Sequence, residues 1–322
     1  MRNLVRSIVL AAACLAGGAA VSQENYPSRP VTLIVPQPPG GTNDIIARVI
    51  AEQLGPKLGG AALVVENRAG AGGTIGTTAA ARAAPDGYTL LLTISASQAI
   101  GPALYPKINF DPINDFEPIT LLARTGFVLV AHPSLNVSSM AELAELGRRQ
   151  GEVQYGSAGN GTMNHLLGEM LRTKSDLKLV HVPFRGVGPM LNDMLGGHVK
   201  LGFASIPSVL VHLQSGALKP LGVSSAQRDK SLPEVPAIGE TVPGFAGDLW
   251  VALFAPKKTA KGVTERLLVA THEALKDPAL VAKLQLQGAH VEISSPEGLA
   301  KTLREDLGKW AQVVKESGAK VD

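Results

Sequence analysis

Cysteine occurs once in 322 residues, at Cys14, inside an N-terminal apolar run. If that run is removed, the working chain has no disulfide and no thiol ligand for a metal. No second histidine stands at metal-ligand spacing from His165, which argues against a zinc site. No apolar run approaches the length of a membrane span. No basic patch stands out, and without Arg2 and Arg6 the count is 28 basic against 27 acidic residues. That balance argues against a nucleic-acid partner. Glycine and proline are plentiful, but they punctuate periodic segments and do not form low-complexity tracts.

What is present begins with a leader. Arg2 and Arg6 precede the apolar run Ile8 to Leu15, and Gly17-Gly18-Ala19-Ala20 follows. This pattern predicts a secretory signal peptide over residues 1–20, cleaved after Ala20, and export to the periplasm. Ala12-Ala13-Cys14 weakly matches a lipoprotein site, so a lipid anchor at Cys14 is the alternative. The remaining chain, about 300 residues, exceeds one comfortable core and predicts two domains.

The stretch from Val31 to Leu54 organises the rest. Val31 to Val35 is a short β-branched apolar run, the mark of a buried strand. Prolines 36, 38 and 39 with Gly40 and Gly41 break it. Thr42, Asn43 and Asp44 then suit a helix start, and Ile45, Ile46, Val49, Ile50 and Leu54 follow at helical spacing. The first N–H groups of a helix lack internal partners and carry partial positive charge. Glycines allow an anion close to that backbone. The device recurs at Ser157-Ala158-Gly159-Asn160-Gly161-Thr162, between a strand at 153–156 and a helix at 163–172. Gly70, Gly72 and Gly76 nearly form a dinucleotide fingerprint, but the third glycine is displaced by one, so no cofactor is expected.

Strands near 31, 62, 88, 119 and 249 are expected in one sheet, and strands near 127, 153, 178, 199 and 218 in another. Helices lie between them and fill the C-terminus. The fold class is therefore α/β with mostly parallel sheets. Its two lobes take residues 27–123 with 250–322, and 124–249. Two crossings, near 121–127 and 246–252, make a hinge and place strand C-termini of both lobes on a shared cleft. The pattern also expects Ser95-Ala96-Ser97-Gln98 to cap a helix, a loop over Asp111 to Phe116, and Trp250 and Trp310 in the cores.

Nine stretches, in order, carry a family resemblance: YPSRPVTLIVP (26–36), PPGGTNDIIAR (38–48), VVENRAGAGGTIG (64–76), PDGYTLLL (85–92), DPINDFEPIT (111–120), SAGNGTMNHLLGE (157–169), HVPFRGVGP (181–189), DMLGGHV (193–199) and RDKSLPEVP (228–236). The chain resembles the substrate-binding proteins of tripartite tricarboxylate transporters, the Bug (Bordetella uptake gene) or TctC-like family. The resemblance implies a two-lobed periplasmic binding protein of type II. It implies a small organic carboxylate (di-, tri- or aromatic) held between one loop per lobe, and delivery to membrane permease subunits. Carried over by position, those loops are Pro39, Gly40, Gly41, Thr42, Asn43 and Asp44, and Ser157, Gly159, Asn160, Gly161 and Thr162. His165, Ser95 and Ser205 are rim contacts on the same basis. Gln37 departs from the family, which often has an aromatic residue there, and Thr162 stands where serine is common. The protein is expected to work as a monomer.

Competing readings stay open for single residues. Asp44 suits a helix cap better than a ligand contact, because one anion repels another. His165 suits a structural role as well as a ligand contact. Arg185 can pair with a second carboxylate or lie on the surface. A secreted α/β hydrolase acting on a small carboxylate or ester is the alternative function. Tyr155 breaks the glycine-x-serine-x-glycine pattern around Ser157, and no P-loop lysine follows Gly40-Gly41, so an enzyme is not expected.

Overall fold

Val31–Val35 is strand β1 in the computed structural model, which describes residues 26–40, 42–105 and 107–321. The expected leader, its Cys14, the loop residue Gly41 and the side chain of Thr42 lie outside the described residues. β1 pairs in parallel with β2 (Leu63–Asn67) and β3 (Thr89–Ile94). A strand apolar on both faces belongs inside a sheet covered on both sides. The first sheet is completed by β4 (Phe116–Thr125), β10 (Leu249–Pro256) and the two-residue β11 (His290–Val291), in the order β11-β4-β10-β3-β1-β2. The second runs β7-β6-β8-β5-β9, from β5 (Phe127–Ala131), β6 (Glu152–Ser157), β7 (Lys178–Pro183), β8 (Leu201–Ser205) and β9 (Lys219–Val223).

The sheets are mixed, which corrects the expectation of mostly parallel pairing. β1, β2 and β3, and β6, β7 and β8, pair in parallel; β10 and β5 run antiparallel to both neighbours. The reason is the route of the chain. It leaves the first sheet after Thr125, crosses at Gly126, and returns into β10 at Leu249, which lies opposite Thr125. Neighbouring strands that leave and re-enter by one end must run in opposite senses. β5 enters the second sheet beside the end of β9, with Val128 opposite Val223. The C-terminal ends of β1, β3 and β4, and of β6, β8 and β9, consequently face one space between the sheets.

Helices cover the outer faces. α1 (Thr42–Lys57) buries Ile46, Ile50 and Leu54, one helical face. α2 (Thr74–Ala81) and the one-turn α3 (Gly101–Leu104) follow β2 and β3. In the second half come α4 (Met140–Gln150), α5 (Met163–Lys174), α6 (Val187–Leu195) and α7 (Ile206–Gln214). Ser139 caps α4, accepting from Glu142 N–H. α8 (Lys261–Ala274), α9 (Pro278–Leu286) and α10 (Pro296–Ser317) close the chain. α10 packs against β4 of the first sheet and α5 of the second layer. Trp250 and Trp310 are fully buried, as expected, and Trp250 Nε1 donates to Asp306 Oδ2 of α10 at 2.7 Å.

Two local expectations shift. β4 begins at Phe116, inside the expected loop, because its partner β10 continues to Pro256. Pro118, which has no N–H to give, sits beside a register irregularity in that pairing. Ser95 does not cap a helix: its backbone is already helical, and a π-helical turn, Ala96–Ile100, leads into α3.

Candidate functional site

The first glycine-rich turn is fixed by side chains around it. Asp44, in the first turn of α1, is 3% exposed. Its Oδ2 accepts from Gly40 N–H at 2.9 Å, and its Oδ1 from Asn67 Nδ2 at 2.9 Å. Arg48 pairs with it at 3.0 Å. Burial raises the Asp44 pKa, but the hydrogen bonds from Arg48, Gly40 and Asn67 outweigh burial and hold it below the usual carboxylate range. Asp44 is therefore engaged in shaping the turn. Gln37 is tied in by Asn67 Nδ2, which donates to its carbonyl at 3.1 Å. Pro39 and Gly40 are exposed.

The second turn is built differently. Thr162 caps α5: its hydroxyl donates to Gly159 O at 2.7 Å and accepts from His165 N–H at 3.4 Å. Gly161 N–H donates to His165 Nδ1 at 3.1 Å. Gly161 has a φ of +73°, and a Cβ there would press on Val321 Cγ1 at 2.8 Å and Leu104 Cδ1 at 2.9 Å. Glycine thus serves both the turn and a close approach to the first layer. Ser157 is fully buried, and its Oγ lies 2.6 Å from His181 Nε2. The His165 and His181 rings stack at 3.9 Å. Tyr155 donates to Glu169 Oε1 at 2.7 Å, and Arg172 pairs with Glu169 at 2.7 Å.

Burial lowers both histidine pKa values, and the neighbouring His165 helps hold His181 down to about 4. Each histidine is therefore neutral at neutral pH. A histidine whose pKa falls on folding contributes stability above its unfolded value, near 6.5, and loses it as pH drops toward the folded value. Urea unfolding should show stability falling between about pH 6.5 and 4. His181→Gln should flatten this loss. An equally steep loss in the variant would place its origin elsewhere.

A cavity of about 340 Å³ lies between the two turns. The first layer lines it with Gln37, Pro38, Asn43, Ile94, Thr125 and Leu249, the second with Phe127, Ala158, Asn164, Val187, Ser205 and Pro207. None of these side chains carries a formal charge. Helix N-termini surround the space instead. Asn43 and Asn164 are the second residues of α1 and α5, Val187 is the first of α6, and Ser205 precedes α7. Four dipoles therefore bring their positive ends to one uncharged cavity.

Of the residues expected from sequence, Asn43 and Ser205 line the cavity. Ser95 is fully buried and outside the lining, and its hydroxyl has no partner among the described residues. Ser157 and His165 lie beneath the second turn and hold it. Gly159 and Gly161 are half-buried and Asn160 is exposed. Arg185 is exposed, and no ion pair involves it among the described residues. Thr125, Phe127 and Leu249 were missed, although the expected crossings contain all three. Asn164 is the second residue of α5, as Asn43 is of α1, but in the sequence it stands one residue further from the Gly-Thr pair, so the repeat did not mark it.

Comparison with known proteins places these features in context. A family model described as "Tripartite tricarboxylate transporter family receptor" matches residues 46–319. Protein BugT of Bordetella pertussis is 39% identical over 324 residues, covering 100% of this chain and 99% of BugT. A Rhodopseudomonas palustris protein solved with adipate is 31% identical with a TM-score of 0.77, covering 92% of this chain and 99% of that one. MatC of the same organism, solved with bound malate, is 31% identical with a TM-score of 0.74, covering 90% and 100%.

Proposed function

The chain belongs to the receptor family of tripartite tricarboxylate transporters, and we propose that it is exported, captures a small organic carboxylate in the cavity between its lobes, and delivers it to the membrane permease. The lobes of this reading are residues 27–123 with 250–322, and 124–249. One observation carries it: four helix N-termini converge on a cavity that, among the described residues, has no charged side chain in its lining. Such a cavity stabilises an anion through backbone dipoles and unpaired N–H groups. The relatives solved with adipate and malate support a carboxylate as that anion. Among the described residues, no helix is long and apolar enough to cross a membrane.

Capture couples to closure. An anion held by α1 alone gains the α5 terminus only when the lobes approach. A ligand shifts a hinge by its differential affinity for the two states, and that difference is here the second set of donors. Gly126 and the returning segment before Leu249 are the two crossings that bend.

The Ser157–His181 contact is the one feature that favours a hydrolase. The Ser157 hydroxyl is fully buried, and His181, held down to about 4, is a weak base at neutral pH. Neither fits attack on a bound ester.

A thermal-shift screen of organic acids, neutral sugars and inorganic cations tests the proposal. A carboxylate at ~100 times its Kd should add roughly 2.7 kcal/mol of apparent stability. Shifts from sugars or cations alone would sink the carboxylate assignment. The bound acid should be recovered chemically unchanged.

A further inference from the structure

The two halves of the molecule touch beside the cavity at a glycine. Gly288 ends α9 with a φ of +60°. Its N–H donates to Gln285 O at 2.8 Å, and Ala289 N–H donates to Leu284 O at 3.0 Å. β11 of the first sheet follows. Facing this turn is Pro207, at the start of α7, just after β8 of the second sheet. A Cβ on Gly288 would lie 2.7 Å from Pro207 Cδ and 3.0 Å from its Cβ, and closer still to its Cγ. Those separations are inside van der Waals contact, so only a bare main chain lets the ring and the turn meet. Two residues on, His290 Nε2 lies 3.1 Å from Asp229 Oδ1 and 3.2 Å from Ser231 Oγ. The same segment of the first half thus meets the second half twice.

Pro207 lines the cavity. The contact therefore lies on the cleft side of the pivot, where opening parts the lobes and closure presses them together. It is also close to the pivot, because His290 pairs with Arg124, two residues before Gly126. A small wedge near a pivot holds two lobes apart through a large angle. We propose that Gly288 is the stop that sets how far the lobes close. Its missing side chain lets Pro207 reach the turn, and that approach brings the second lobe's helix starts onto an anion held by α1. Gly288 is not in the cavity lining, so it is a positioning residue that acts through Pro207. This rests on the reading of the cavity as a carboxylate site that closes.

Gly288→Asn tests it, since asparagine tolerates a positive φ at a helix end but carries a Cβ. Gly216→Asn is the control: Gly216 follows α7 with a φ of +74°, and a Cβ there meets nothing within 4 Å. Calorimetric titration uses whichever of malate, adipate, citrate and benzoate binds wild type most tightly. Gly288→Asn should bind it about tenfold or more weakly, because the closed form becomes a minor state. Gly216→Asn should stay within about twofold, with circular dichroism confirming that both variants fold. A second variant, Pro207→Cys with Gly288→Cys, reads closure directly, because the chain's single cysteine, Cys14, lies in the expected leader. With oxidised glutathione, its disulfide should form several-fold faster when the acid is present, and reduction should restore exchange of the acid. Unchanged affinity in folded Gly288→Asn, or equal cross-linking with and without the acid, would overturn the closure stop and leave the carboxylate reading standing. Failure of all four acids to bind wild type would overturn both.

Discussion

Ser205→Asp is expected to lower carboxylate affinity about 100-fold while leaving the melting temperature unchanged or slightly raised. Ser205 precedes α7 with extended backbone, and its hydroxyl meets Ser208 Oγ at 2.8 Å without bonding a helix N–H. Aspartate is a favourable residue at such a position and complements the helix dipole, so the fold should tolerate it. The same carboxylate would stand in a cavity with no cationic lining residue among the described residues. At about 5 Å and an effective dielectric near 20, repulsion of a bound anion is about 3 kcal/mol. That corresponds to about 100-fold in Kd. Ser205→Asn, neutral and also a good cap, should bind within about threefold of wild type. Calorimetry on the three proteins provides the comparison. A folded aspartate variant of unchanged affinity would mean that the anion does not occupy this cavity.

The second large effect is on stability. Gly168→Ala should destabilise the protein by about 2 kcal/mol, although alanine in a helix interior ordinarily gains up to about 1 kcal/mol over glycine. Gly168 lies in α5, where an added Cβ would overlap the buried ring of Tyr155. That ring cannot yield cheaply. Its hydroxyl donates to Glu169 Oε1 at 2.7 Å, and its face stacks on His181 at 5.1 Å. Displacing α5 from β6 would also move Asn164 and the helix start that lines the cavity. Ligand affinity should fall along with stability. Gly308→Ala in α10 is the control, because an added Cβ there meets nothing within 4 Å. Urea midpoints should move in opposite directions for the two variants, with unchanged slope. A stabilised Gly168→Ala protein would refute the close packing of α5 on Tyr155.

Much of the fold is legible in short segments. β1, β5 and α10 fall where the residues predict them, because apolar periodicity and capping residues are encoded in adjacent positions. Thr162 caps α5 as read, since a hydroxyl followed by an amphipathic run suffices. The opposite sense of β10 was not legible: strand direction follows from the route between the sheets, and residues 249–256 look alike read either way. β11 was missed because two residues carry no period.

The sequence by itself therefore determined the order of the elements, the two glycine-rich turns that open helices, and the family. These depend on residues within a turn or two of one another, or on motifs kept in order. Tertiary structure alone decided which side chains meet. It buried Ser95, turned Ser157 and His165 inward to hold a turn, and brought Thr125, Phe127 and Leu249 to the cavity wall. It also joined Gln37, Asn43, Gly72, Leu92 and Ser97 into one relay. The physical reason is that a buried polar group must find its partner in space. Distance along the chain does not say which groups will succeed.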